Sequence, residues 1–330
     1  GGVAVRSRFP YRADMPLTTP IDQAEALRDK IADLMPQVRA DLEALVAIPS
    51  INFPGYEMSE AVRCAEAVAE LLRKAGAQPQ LIPSSSGVPT VRADVAGPEG
   101  APTVLLYSHY DVQPAGDESK WHSPAFQALE RDGRLYGRGA ADDKSGVVSH
   151  IAVLRAFGGE PPVNLRILLE GEEEYGGDFE EWPSARPEVF GDLDAAVICD
   201  MGNVELGQPT FTTQLRGIIE GVVTVTTMAE PRHSGMFGGP SPDALMVLIK
   251  LLNSLMDDRG DATIDGITGS EWDGAEYPEA AFRELAEVLP GQPLIGTGSV
   301  ASRLFSKPAV SVVGLDAPEV ATAPNAIIPS

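Results

Sequence analysis

Histidine and cysteine are scarce in this sequence: among 330 residues there are four histidines and two cysteines. Cys64 and Cys199 are too few and too distant to build the disulfide framework of a small secreted domain. They read as small buried hydrophobes of a reducing cytoplasm. Positive charge is also short, with 25 Lys and Arg against 48 Asp and Glu and a formal net charge of −23. A surface this acidic repels phosphate backbones and anionic lipid, which argues against nucleic acid and membranes as partners. No apolar run reaches the ~18–20 residues of a membrane-crossing helix. Residues 1–14 hold arginines but no apolar stretch, so no secretory signal is read there, and a tag or extension ahead of Met15 is expected.

What is present is enough apolar material for a sizeable core, 43% of residues, which excludes disorder. The length suggests about two domains. Thr19-Pro20 resembles an N-cap and first helical turn. Ile21, Ala24, Leu27, Ile31, Leu34, Val38, Leu42 and Leu45 then recur at helical spacing, with Pro36 expected to kink or divide the helix. A second helix is expected over Ser59–Ala75 and a third over Lys144–Phe157. Short apolar runs at Thr90–Val95, Thr103–Ser108, Leu165–Glu170 and Ala195–Cys199 read as strands. Strands alternating with helices give an α/β domain with a largely parallel sheet over 15–210. From about Phe211 the texture changes. Gly217–Thr227 and Ala309–Leu315 read as strands, Ser241-Pro242 as the cap of an amphipathic helix, and Asp257–Tyr277 as an acidic loop. A smaller α+β domain is therefore expected over 211–330.

Polar clusters sit where these strands end. His109 and Asp111 follow Val104–Tyr107, the run Glu172-Glu173-Glu174 follows Leu165–Leu169, and Asp200 follows Ala196–Cys199. Asp142-Asp143 opens the third helix. Singly, each has an ordinary reading: a turn or satisfied core histidine, a solvated acidic face, a helix cap, a turn residue. Together they occupy the carboxyl ends of strands, where open α/β sheets bind ligands. Carboxylates gathered without counter-charge raise one another's pKa at a cost of several kcal/mol, and Arg138 and Lys144 are too few to offset them. Metal is the expected answer. Mixed imidazole and carboxylate donors suit Zn²⁺, with Mn²⁺ or Co²⁺ also compatible. An excess of carboxylates suggests two ions sharing one of them, ~3.5–4 Å apart.

The motifs resemble those of the M20 metallopeptidases. Ser108-His109-Tyr110-Asp111-Val112-Gln113-Pro114 is similar to their HxDVQP. Trp121 to Phe126 with Leu135–Lys144 is similar to W…PF…LYGRGxxDDKG, Ser145 replacing the usual glycine. Glu170–Gly176 is similar to EGxEExG, and His233–Gly239 to the HSGxxGG of the dipeptidase, carnosinase-like branch. The resemblance runs from about Leu45 to the end. It implies a zinc-exopeptidase-like catalytic domain with an inserted lid and dimerisation domain. It implies His109 and Asp200 as ligands, Asp142 bridging two ions, and Glu174 on the second. It further implies Glu173 as general base, Asp111 hydrogen-bonded to His109, and His233 on the oxyanion, reaching across a homodimer. His122 and His150 are expected to be a loop residue and a packing residue.

The implied reaction is hydrolysis of the amide bond of dipeptides or short peptides in the cytoplasm. The deacetylase and desuccinylase branches, acting on N-acyl amino acids, and a catalytically silent binding protein are the alternatives. The family's fifth ligand is a downstream histidine, yet none follows His233. The lid is accordingly expected to be incomplete, and the second metal of this chain weakly held.

Overall fold

The computed structural model describes residues 21–203, 207–212, 215–321, 323 and 325–330; the expected extension at 1–14 and the Thr19-Pro20 helix start lie outside them. The chain divides between Thr210 and Phe211 into two compact units.

The first unit opens with helix α1 (Ile21–Val46), which runs through Pro36 without dividing. Pro36 is on the exposed side of the helix, where solvent reaches the carbonyl that its missing N–H leaves over. Helix α2 (Ser59–Lys74) buries Ala61, Cys64, Ala65, Val68, Ala69 and Leu72 at helical spacing. The sheet strands are β1 (Gln80–Ile82), β2 (Thr90–Val95) and β3 (Thr103–His109). A hairpin of β4 (Leu129–Arg131) and β5 (Arg134–Tyr136) follows, turning on Asp132 and Gly133 at φ 51° and 73°. Positive φ at both turn positions is what an Asp-Gly pair supplies. Helix α3 (Lys144–Ala156) and strands β6 (Asn164–Glu170) and β7 (Ala195–Ile198) complete the frame.

The five sheet strands are ordered β1-β2-β6-β3-β7. β3 runs parallel to both β6 and β7, while β1-β2 and β2-β6 are antiparallel. The α/β class stands as expected, with the sheet mixed and its parallel half at the β7 edge. Alternate residues of one strand feed opposite faces. Leu106, Ile167 and Leu169 join Val68, Leu72, Val147, Ile151 and Leu154 of the helices. Leu105 and Leu168 face the other way, onto Phe179, Trp182 and Val189. Covering both faces explains why these strands read as near-continuous apolar runs. Arg155 of α3 pairs with Asp41 of α1 at 2.6 Å, tying the two helices together.

In the second unit a helix spans Ala244–Asn253, its N-cap being Asp243, whose side chain accepts the Met246 N–H at 3.0 Å. The cap is thus one residue beyond the expected Ser241-Pro242. Arg232–His233 pairs antiparallel with Ala326–Ile327. The strands expected at Gly217–Thr227 and Ala309–Leu315 do not form. Alternation specifies which face a strand presents, but the strand itself is a ladder with a neighbour. Here Ile218, Ile219, Val222 and Val313 stand exposed, and the main-chain bond of Thr227 to Pro329 is the one that 217–227 makes to a distant segment among the described residues. No helix among the described residues is long and apolar enough to cross a membrane.

Candidate metal centre

His109 ends β3 opposite Glu170, the last residue of β6. On the other side, the Cys199 N–H continues the β7 pairing to the Tyr107 carbonyl at 3.0 Å. Asp200 therefore emerges beside His109, and the glutamate run leaves β6 at the same end. The buried His109 imidazole is the hub. Its Nε2 lies 3.0 Å from Asp142 Oδ1, 3.6 Å from Asp200 Oδ1 and 3.8 Å from Glu173 Oε2. Two sets bring one donor atom per residue within 4.8 Å of one another: His109, Asp142 and Glu174, and His109, Asp143 and Asp200.

The adjacent aspartates divide their work. Asp143 is buried and caps α3, accepting the Gly146 N–H at 3.1 Å and the His109 N–H at 3.2 Å. Asp142 carries no such duty, and its carboxylate is largely exposed toward solvent and His109. The glutamate run divides likewise. Glu172 is buried and turns away, accepting the N–H groups of Asp178 and Phe179 at 3.1 and 3.2 Å. Glu173 and Glu174 face the centre. Asp111, fully buried, accepts their main-chain N–H groups at 3.2 and 3.0 Å. The His109 Nδ1 finds the Asp111 main-chain carbonyl at 3.1 Å, and the Asp111 carboxylate at 3.4 Å.

Among the described residues, the nearby cations are engaged elsewhere. Lys144 donates to the Leu45 and Ile48 carbonyls at 2.8 and 2.7 Å. Arg138 donates to the Pro114 carbonyl at 3.1 Å and lies over the Trp121 ring. Among the described residues, no lysine or arginine pairs with Asp142, Glu173, Glu174 or Asp200; Asp142, Glu173 and Asp200 approach His109, and Glu174 bonds to Gln113. Burial, reinforced by neighbouring carboxylates, raises the pKa of Glu173, Glu174 and Asp200. Burial also pushes Asp143 to about 7 and Glu170 to about 8. Burial opposes charge on His109 too, but the Asp111 bond and the surrounding acids outweigh it and lift the imidazole to about 10. One imidazole and several oxygens, crowded and lacking a counter-charge, are a donor set that fits divalent ions.

Of the residues singled out from sequence, His109, Asp111, Asp142, Glu173, Glu174 and Asp200 come together here. His233 belongs to the second unit, where it caps the turn Ser234–Phe237 by accepting the Gly235 N–H on Nδ1 at 3.1 Å. His122 is an exposed loop residue, and His150 is buried with Nε2 2.9 Å from the Tyr107 carbonyl. Sequence reasoning named Asp143 beside Asp142 but assigned it no role in the centre, although it is a fourth aspartate at His109. It also assigned no role to Gln113, whose neutral side chain carries no charge signal although it lies in the motif that follows His109.

An α/β unit that delivers an imidazole and unpaired acids to the carboxyl ends of parallel strands is of the metal-dependent class. Residues 105–323 match the model of peptidase family M20/M25/M40, and the chain belongs to that family. It is 41% identical over 237 residues to the cysteinylglycine-S-conjugate dipeptidase of Corynebacterium striatum, covering 70% of this chain and 52% of that protein. To the β-Ala-His dipeptidase of Rattus norvegicus it is 33% identical over 223 residues, covering 63% and 45% respectively. The chain thus spans about half the length of the curated relatives it matches. The crystal structure of human carnosine dipeptidase 1 superimposes with a TM-score of 0.68 at 25% identity, over 94% of this chain and 70% of that one.

Proposed function

We propose that this chain is the site-bearing part of a two-metal hydrolase that cleaves the amide bond of dipeptides or short peptides. The gathering of His109, Asp142, Glu173, Glu174 and Asp200 around one point, with no cation among the described residues to balance it, carries the reading. The names of the related dipeptidases support the substrate class. His109 and Asp200 would hold one ion and Glu174 the other, with Asp142 contributing to both; zinc would suit these donors best. When bound, the ions supply the positive charge that acidifies a water and polarises the amide carbonyl.

Glu173 accepts the proton of the attacking water and returns it to the leaving amine. Burial raises its pKa first, with Asp200, Asp111 and Glu174 adding to this and His109 opposing it. Asp111 is a positioning residue, holding the peptide groups of both glutamates. Reaching across a homodimer, His233 donates to the developing oxyanion at the partner protomer's centre, an interaction worth ~3–4 kcal/mol. Because its Nδ1 accepts the Gly235 N–H, the proton resides on Nε2, leaving that nitrogen as the donor. The second unit acts as lid and as the interface of a homodimer. The exposed apolar face of helix Ala244–Asn253, with Met246 and Ile249, supports that part. The free thiols of Cys64 and Cys199 accord with a cytoplasmic setting.

The test is metal analysis of the purified chain together with hydrolysis of a panel of dipeptides and N-acyl amino acids. Uptake of divalent ions, the second of them weakly held, and slow, chelator-sensitive dipeptide cleavage are expected. A chain that takes up no divalent ion, or one that prefers N-acyl amino acids, contradicts the proposal.

A further inference from the structure

Between the end of β3 and Pro114 the chain forms no helix or turn, and its side chains alternate in what they meet. Tyr110 and Val112 are buried on one side. His109, Asp111 and Gln113 are the other set, and each has a partner in the centre. His109 meets Asp142, and Asp111 takes the glutamate peptide groups. Gln113 takes Glu174. Its main-chain N–H donates to Glu174 Oε1 at 3.2 Å, and its side-chain amide donates to Glu174 Oε2 at 2.9 Å and to the Glu174 carbonyl at 3.1 Å.

We infer that Gln113 is a positioning residue that presets the Glu174 carboxylate for its metal ion; this rests on the reading of Glu174 as a ligand. One residue satisfies both oxygens of the carboxylate and its own carbonyl, so the side chain has no rotation left that keeps all three bonds. A carboxylate oxygen accepts about two hydrogen bonds. With one donor on each, a second lone pair on either oxygen is left for an ion. The donors are neutral, so they orient the acid without cancelling the charge that an ion needs.

The holder is itself held. A residue before proline is confined to extended backbone, and here that proline is Pro114. Its carbonyl accepts Arg138 at 3.1 Å, and the Arg138 N–H bonds the Ala125 carbonyl at 2.6 Å. The Gln113 N–H therefore comes from a braced segment. Asp142 and Asp200 lie close to the His109 imidazole, whereas Glu174 bonds to Gln113. The ion held by Glu174 is accordingly the one whose affinity Gln113 sets.

The experiment titrates the full chain with Zn²⁺ by calorimetry, and with Co²⁺ by visible absorption, for wild type, Gln113→Ala, Gln113→Glu, Glu174→Gln and the double variant Gln113→Ala/Glu174→Gln. Losing a partner that orients a ligand weakens metal affinity about ten- to hundredfold. Gln113→Ala is expected to weaken one of two sites by that factor and leave the other within about twofold. Gln113→Glu, of equal shape but with a charge opposed to Glu174, is expected to weaken the same site at least as much. In the double variant Gln113→Ala is expected to add nothing to Glu174→Gln, because the coupling is then whole.

Unchanged affinities in both Gln113 variants while Glu174→Gln loses a site overturn the inference and leave the ligand reading intact. Equal weakening of both sites, or full additivity in the double variant, also overturns it, since a general structural defect behaves that way. If Glu174→Gln weakens no site, the ligand reading fails, and this inference fails with it. The thermal unfolding midpoint of each variant separates loss of fold from loss of affinity, and Gln113→Glu remains informative if the alanine variant does not fold.

Discussion

The carboxylate of Asp111 accepts the peptide N–H of Glu174 at 3.0 Å and, with its other oxygen, that of Glu173 at 3.2 Å. One buried acid thus sets the course of the main chain that carries both working glutamates. Asp111→Asn replaces one of those acceptors with a donor aimed at a donor. The variant is expected to lose about ten- to hundredfold in kcat or metal affinity and about 1–3 kcal/mol of stability. Urea unfolding and metal titration on the same preparation check both. Unchanged values in both assays contradict this role.

Glu173 has a different signature. Its carboxylate is half exposed, at 41%, and lies 3.8 Å from the His109 Nε2, farther than Asp142 or Asp200. Glu173→Gln is expected to retain its metal ions, as counted by elemental analysis, while kcat falls by about 10²–10⁴, the usual contribution of a general base. Turnover near wild type in a metal-replete sample removes Glu173 from that role.

Much of this was legible in the sequence, for a physical reason. Strands covered on both faces leave apolar runs, such as Val104, Leu105 and Leu106 of β3 and Ile167, Leu168 and Leu169 of β6. Polar residues directly after such runs must lie at the sheet's carboxyl end. What the sequence does not carry is direction. Three consecutive glutamates look alike, yet Glu172 turns into the 176–179 loop while Glu173 and Glu174 face His109. Asp142 and Asp143 look alike, yet only Asp143 caps α3. A neutral amide gives no charge signal, so Gln113 stood in its motif without a role. In the second unit, Gly217–Thr227 has the alternation of a strand but no ladder, because pairing depends on a neighbour that local pattern does not specify.

Lys144 is fully buried and donates to the Leu45 and Ile48 carbonyls at 2.8 and 2.7 Å. It ties the start of α3, where Asp142 sits, to the end of α1. Lys144→Met keeps the aliphatic stem and strands two buried acceptors, each costing about 1–3 kcal/mol. The variant is expected to be destabilised by about 2–4 kcal/mol in urea unfolding, without losing the ability to bind metal when folded. A change under about 0.5 kcal/mol shows that water replaces the ammonium.

Removing metal exposes the electrostatic cost of the centre as a dependence on pH. Burial pushes Asp143 to about 7 and Glu170 to about 8. His109 reaches about 10, where burial is outweighed by the Asp111 hydrogen bond and by Asp111, Asp143 and Asp200. All three lie above their unfolded values of ~4 for the carboxylates and ~6.5 for histidine. The folded chain therefore holds protons that the unfolded chain has released, and stability falls as pH rises. The carboxylate contribution is whole below pH ~4 and lost through about 7–8; the histidine contribution is whole below ~6.5 and lost through about 10. Chelator-treated protein is accordingly expected to unfold at lower urea at pH 8 than at pH 5. Saturating Zn²⁺ is expected to flatten or reverse that slope, because an ion replaces the protons and binds more tightly once its ligands are deprotonated. Urea titrations at pH 5, 6.5 and 8, with chelator and with Zn²⁺, measure both slopes. A stripped protein that gains stability from pH 5 to 8 rules out these acids as the source of strain.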